Sequence, residues 1–191
     1  MGSLMNKFKW YKEIQKSTSL SQGDILFNCQ IILPNEDIYQ SLLDENYEPK
    51  SYNPVILLEK SIIMSQACDL ANDKIDSVVL CSVWDLKQLQ LANKYYKSRK
   101  ARESLRQGKE PAYHLLNKAK SDNIEIDYCV VDFHRVYTVP KQYLKKVACK
   151  NEFRLRLLPP YREHLSQAFA RYFMRVGLPV DIDKEEIKNV K

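Results

Sequence analysis

Ser61-Ile62-Ile63-Met64-Ser65-Gln66-Ala67-Cys68-Asp69-Leu70 is a buried-strand pattern that breaks, with no Gly or Pro, into a polar Ser-Gln-x-Cys-Asp cluster. A strand that delivers polar and reactive groups to one end is a common way to build a site. The apolar run Val55 to Leu58 lies just upstream, separated by Glu59-Lys60-Ser61. The two runs are either one bent strand or a tight hairpin. Downstream, after a polar turn from Ala71 to Asp76, Ser77 to Trp84 is nearly all apolar and predicts a central strand.

Working outward, the sequence predicts further strands at 25–27, 31–33 and 153–158. Ile124 to Val139 is either one long strand bent near Asp132 or a hairpin. Helices are expected at 6–17, where Phe8, Trp10, Tyr11 and Ile14 form an apolar stripe, and from Pro34-Asn35-Glu36-Asp37 onward. Others are expected from Asp85 to about Tyr96, at 97–109, from Pro140 to Ala148 and from Tyr161 to Val176. The last carries Leu165, Ala168, Phe169, Tyr172, Phe173 and Val176 at helical spacing. Six or so strands with inserted helices make an α+β domain. With 191 residues, 45% of them hydrophobic, no repeat and no low-complexity linker, a single domain over 1–191 is expected.

Five cysteines, an odd number without any CxxC pair, predict a reduced protein free of disulfides and a cytoplasmic location. Three histidines, none at ligand spacing with a cysteine, predict no metal site, and no cofactor is expected. No run approaches the length of a membrane span, and no apolar leader precedes the domain, so no membrane partner is expected. Charge is uneven. Residues 1–95 hold 9 Lys/Arg against 12 Asp/Glu, net −3, whereas residues 96–191 hold 21 against 12, net +9. A basic C-terminal half suits an anionic partner such as RNA, or is simply a solvated lysine-rich face.

Three segments between 22 and 84 resemble the PemK/MazF-like family. Gly23-Asp24-Ile25 matches its opening Gly-Asp-apolar strand. Lys60-Ser61-Ile62-Ile63-Met64-Ser65-Gln66 stands where the family has Arg-Pro-apolar-apolar ending in a polar residue, and Ser77 to Trp84 matches its next apolar strand. The resemblance implies a small SH3-like β-barrel, here with inserted helices and with helical N- and C-terminal extensions. It also implies pairing as a homodimer and a toxin of a toxin–antitoxin or phage-defence system that cleaves RNA, ribosome-bound mRNA included, without a metal ion. The family's catalytic Arg is replaced by Lys60 (or its place falls on Pro54), and its Thr or Ser falls near Ser82, Val83 or Trp84. Lysine can stabilise a phosphorane charge, but as a point charge rather than a fork. The replacement leaves a second reading open: an altered barrel that regulates by binding an antitoxin or another protein of a defence operon, for example a CRISPR-associated one.

Candidate catalytic residues are therefore Lys60, Ser65, Gln66, Cys68, Asp69 and His134. Cys68 is a nucleophile only if a histidine (His114, His134 or His164) activates it. Otherwise it plugs the core while Gln66 and Asp69 hold the loop. Asp132-Phe133-His134-Arg135 places an acid, a base and a phosphate-binding cation at a strand bend. Arg135, Arg154, Arg156, Arg162, Arg171 and Arg175 are the candidate RNA-binding residues, and the run from Lys94 to Lys109, with Tyr95 and Tyr96, is a further one.

Overall fold

A computed structural model describes residues 8–34, 36–43 and 54–174. Its elements are, in chain order, β1 (Tyr11–Gln15), β2 (Asp24–Leu33), α1 (Glu36–Ser41), β3 (Val55–Ile63), α2 (Ala67–Ala71) and β4 (Ser77–Asp85). These are followed by α3 (Leu86–Ala92), a 3-10 turn (Lys94–Lys97), α4 (Arg99–Arg106), β5 (Tyr113–Leu116), β6 (Ala119–Lys120) and β7 (Glu125–Ile126). The chain ends through β8 (Cys129–Pro140), α5 (Lys141–Lys150), β9 (Phe153–Leu157) and α6 (Tyr161–Phe173). Seven strands form one antiparallel sheet in the order β1-β9-β2-β3-β4-β8-β5, and β6 pairs with β7 apart from it. The domain is α+β. Its sheet is not closed by strand pairing, since β1 and β5 end the ladder.

The central strands are apolar on both faces because both are covered. Ile25, Ile62, Cys81, Val83 and Val131 share one core with Leu165 of α6. Their neighbours in sequence point the other way. Leu26, Ile63 and Leu80 pack with Leu70 of α2 and Leu144 of α5. Farther along the sheet, Val130 meets Leu89 of α3, Tyr96 of the 3-10 turn and Leu105 of α4.

The open choice at 55–63 resolves as one strand, β3, whereas 124–139 divides between β7 and β8, which belong to different sheets. In β2, Asn28 adopts φ 55° where the register slips between Leu26 and Cys29, so the two apolar stretches belong to one strand. In β8, Asp132 pairs with Ser82 and Val136 with Cys81, so Phe133, His134 and Arg135 bulge out of the ladder.

The helix expected at 6–17 is corrected: from Tyr11 the chain is a strand. Its spacing fits a helix, but pairing with β9 and the stacking of Trp10 on Tyr161, at 3.7 Å between centroids, outweigh that local preference. The helix expected from Asp85 to Tyr96 stops at Ala92 and gives way to the 3-10 turn, because Asn93 takes an extended conformation and caps Tyr95 N–H. The polar turn expected from Ala71 begins with the short helix α2, and the stretch up to Val176 is described as helix only to Phe173.

Gly23 sits where β2, β3 and β9 meet. Its N–H donates to Ile63 O, and its carbonyl accepts from Leu157 N. Its φ is +81°, and a Cβ there would lie 3.1 Å from Leu157 Cβ, so glycine is required both for conformation and for room. Asp24, next in sequence, is fully buried. Its carboxylate accepts from Arg154 Nε at 2.9 Å, from Arg156 Nε at 2.5 Å and from Ser21 N at 3.1 Å. Arg154 spends its remaining donors on the carbonyls of Gln15, Thr18 and Ser19.

Removing one partner of such a buried pair strands the other charge. Arg154→Ala is expected to lower unfolding stability by about 3–5 kcal/mol. Arg156→Ala, at the half-open rim of the same pair, should cost clearly less. Urea unfolding followed by circular dichroism measures both, and equal small losses would contradict this account.

Candidate functional site

Alternation along β3 decides which residues can act together. Glu59 and Lys60 are adjacent, so they leave opposite faces of the sheet. Lys60 Nζ lies 2.6 Å from Asp85 Oδ1 and 3.7 Å from Cys129 Sγ. Burial alone would raise the Asp85 carboxyl, but the Lys60 ammonium outweighs it and holds the group below the usual carboxylate range. Lys60 is thus bound into a local pair on the face opposite Glu59.

Glu59 faces the other way, into a polar strip between two apolar clusters. Ser82 Oγ donates to Glu59 Oε2, and Arg135 Nη1 donates to Glu59 Oε1 at 3.2 Å. The Arg135 guanidinium rests on Trp84, 4.8 Å from the ring centroid, with Asp132 Oδ2 4.0 Å from its Nε. Asp132 is almost wholly buried, and its Oδ1 takes both the backbone N–H of His134 and, at 2.9 Å, the ring Nδ1. About half of the His134 side chain is open to solvent. Tyr113 and Tyr172 flank its ring with centroids at 5.5 Å and 5.7 Å. Burial first, and the Asp132 charge second, push the Tyr113 hydroxyl up, so it stays protonated at neutral pH. Ser61 Oγ, opposite Ser82 across the ladder, is buried with no hydrogen-bond partner among the described residues. The β8 bulge makes this cluster: it lifts His134 and Arg135 out of the ladder while Asp132 stays in register.

Of the residues singled out in the sequence, Asp132, His134 and Arg135 meet here, together with Ser82 and Trp84 from the stretch where the resemblance puts the family's Thr or Ser. Ser65, Gln66, Cys68 and Asp69 lie at the far end of β3 and shape a loop. Ser65 Oγ accepts from Val79 N at 2.9 Å, Gln66 precedes α2 as its N-cap residue, and Asn72 Nδ2 donates to Cys68 O at 2.8 Å. Cys68 is exposed, which corrects the expectation that it plugs the core. Its thiol lies 3.7 Å from Asp69 Oδ1, and no described histidine is within hydrogen-bond reach of it. Arg154 is sealed inside the fold and Arg156 is bound to Asp24 and Ser19 O, which corrects their expected role on an RNA surface. Arg162 pairs with Glu163 at 2.7 Å, and Arg175 lies outside the described residues.

Arg171 lies elsewhere, on a cleft of about 620 Å³ between α6, β5 and the turn after α4. His114, His164 and Gln167 line the same cleft, with Trp10 and Tyr113 at its walls. Among the described residues, no three of His, Cys, Asp or Glu are grouped so as to hold a metal ion, and no helix is long and apolar enough to cross a membrane.

Glu59 was not chosen as a site residue from the sequence. Glu59 carried one faint signal, a charge set between two apolar runs of one strand.

Thiol accessibility tests the placement of the cysteines. Cys68 and Cys149 are exposed, whereas Cys29, Cys81 and Cys129 are buried. Burial, chiefly, pushes the Cys81 and Cys129 thiols up to about 12. A colorimetric thiol reagent at neutral pH should titrate two groups in the native protein and all five after unfolding. Protection of Cys68→Ser at the same level as the parent chain would contradict this. No protein-family model matches the chain, and no curated protein matches it as a relative.

Proposed function

We propose that this chain is a MazF-like protein of a bacterial toxin–antitoxin or phage-defence system that cleaves RNA without a metal ion, at the His134 cluster rather than around Lys60. The observation that carries the reading is the 2.9 Å contact between His134 Nδ1 and Asp132 Oδ1, with Arg135 alongside. A carboxylate can only accept, so Nδ1 carries the proton and Nε2 is left as the base. Nε2 takes the proton of a ribose 2′-hydroxyl, and that oxygen attacks the adjacent phosphorus. The P–O5′ bond breaks, and the leaving oxygen takes a proton from water at this half-open site. Arg135, held between Glu59 and the Trp84 ring, neutralises charge on the phosphorane oxygens. Trp84, Tyr113 and Tyr172 supply rings on which bases stack.

The SH3-like barrel reading is supported by side chains that bridge the two ends of the open sheet. Tyr11 OH donates to Asn117 O at 2.7 Å, just beyond β5. Glu13 accepts from Ser121 Oγ at 2.5 Å and from Asn123 Nδ2 at 2.7 Å. A second reading, an altered barrel that regulates by docking a protein, is favoured by one face of the β2–β3 arm. Ile32, Ile56 and Leu58 share that face in register and are all more than half exposed.

The purified chain is expected to cut single-stranded RNA in the presence of EDTA, leaving 2′,3′-cyclic phosphate and 5′-hydroxyl ends. His134→Ala should slow this by about 10²–10⁴-fold, whereas Lys60→Ala should leave most of the rate. Intact RNA under all conditions, ribosomes included, sinks the ribonuclease reading. A stable complex with the product of a neighbouring gene, lost in Ile56→Lys/Leu58→Lys, would then support the second.

A further inference from the structure

The cleft beside α6 has a volume suited to a small organic ligand. His164, Gln167 and Arg171 stand at i, i+3 and i+7 on α6, so one helix face supplies one wall. His114 comes from β5 on the facing wall. The stacked pair Trp10 and Tyr161 supplies an aromatic wall.

The polar groups of this cleft are strongly one-sided. The side chains of His114, His164, Gln167 and Arg171 make no hydrogen bond or ion pair with any described residue. The indole Nε1–H of Trp10 is buried and equally unpartnered. The other cation on the rim, Arg106, is held by both carboxylate oxygens of Glu103, and Glu110 takes the hydroxyls of Tyr95 and Tyr96. What remains free is a set of donors around aromatic rings. Burial, and then the His164 ring beside it, hold the His114 imidazole down at about 4. An anion between the two rings would relieve that repulsion.

We propose that this cleft is a nucleotide subsite. The base lies against Trp10 and Tyr161 with the Gln167 amide at its edge, and the phosphate is taken by Arg171 and His164. The proposal rests on the ribonuclease reading for its place in an RNA strand. Tyr113 lines the cleft and also touches His134, and Tyr172, next to Arg171, flanks the same ring. A strand whose phosphate lies at His134 therefore has its neighbouring nucleotide beside the cleft.

Calorimetric titration of the full chain with adenosine and uridine 5′-monophosphates tests this directly. At least one should bind saturably with Kd on the order of 1 mM or below, and the bare nucleoside and inorganic phosphate should each bind about tenfold or more weakly. Arg171→Ala should weaken the mononucleotide by about tenfold, a loss of about 1.4 kcal/mol. Arg171 is exposed, so this variant should keep its unfolding midpoint. His134→Ala should bind as the parent does. Failure of both mononucleotides to saturate, or equal affinity in Arg171→Ala, overturns the subsite even if RNA is cut. Saturable mononucleotide binding by a parent chain that leaves RNA intact under all conditions supports the nucleotide site and overturns the ribonuclease reading.

Discussion

The buried carboxylate of Asp24 is the contact on which the rest of the sheet depends. It receives Arg154 and Arg156 from β9, and Arg154 in turn holds the carbonyls that follow β1. Three strands and the β1–β2 turn are thus fixed by one carboxylate. Two guanidinium groups facing one carboxylate leave few unpaired donors, which is what makes a buried charge tolerable. Gly23 fits the same junction because only a residue without a Cβ clears Leu157. The Gly-Asp pair is therefore a structural joint, and it sets the register from which β3 and β4 are built.

From that register, alternation separates chemistry from structure. Lys60 is directed to Asp85 and Cys129, and Glu59 to Ser82 and Arg135. One residue of slip would exchange the two. The three-residue bulge in β8 then brings Arg135 to Glu59, with His134 beside Asp132. In a regular strand Arg135, three residues from Asp132, would leave the opposite face.

Much of the fold was legible because the strands between 55 and 84 and the helix from Tyr161 bury whole faces, and burial writes itself into apolar periodicity. The first strand was not: a short segment with Trp10, Tyr11 and Ile14 fits either period, and only its partner more than 130 residues away decides. At the site, His134 and Arg135 could be found from residue type. Asp132 could be found with them, but Glu59 could not, because it reaches Arg135 across two strand pairings. Arg154 and Arg156 were misread for the same reason. An arginine on a strand looks like surface until the buried acid that needs it is known, and nothing local to 153–158 points to Asp24.

The order of the strands carries a consequence for the timing of synthesis. β2, β3 and β4 follow one another and can pair as they leave the ribosome, whereas β1, made first, has its partner only in β9 near the end of the described chain. Until β9 emerges, Asp24 has neither of its arginines, and β1 and one side of β2 have no neighbour. Pairings across such sequence separations close slowly. A chain halted before residue 153 carries an uncompensated acid at its centre and unpaired edges at β1 and β2, so the emergence of β9 decides whether the nascent protein survives as a folded molecule.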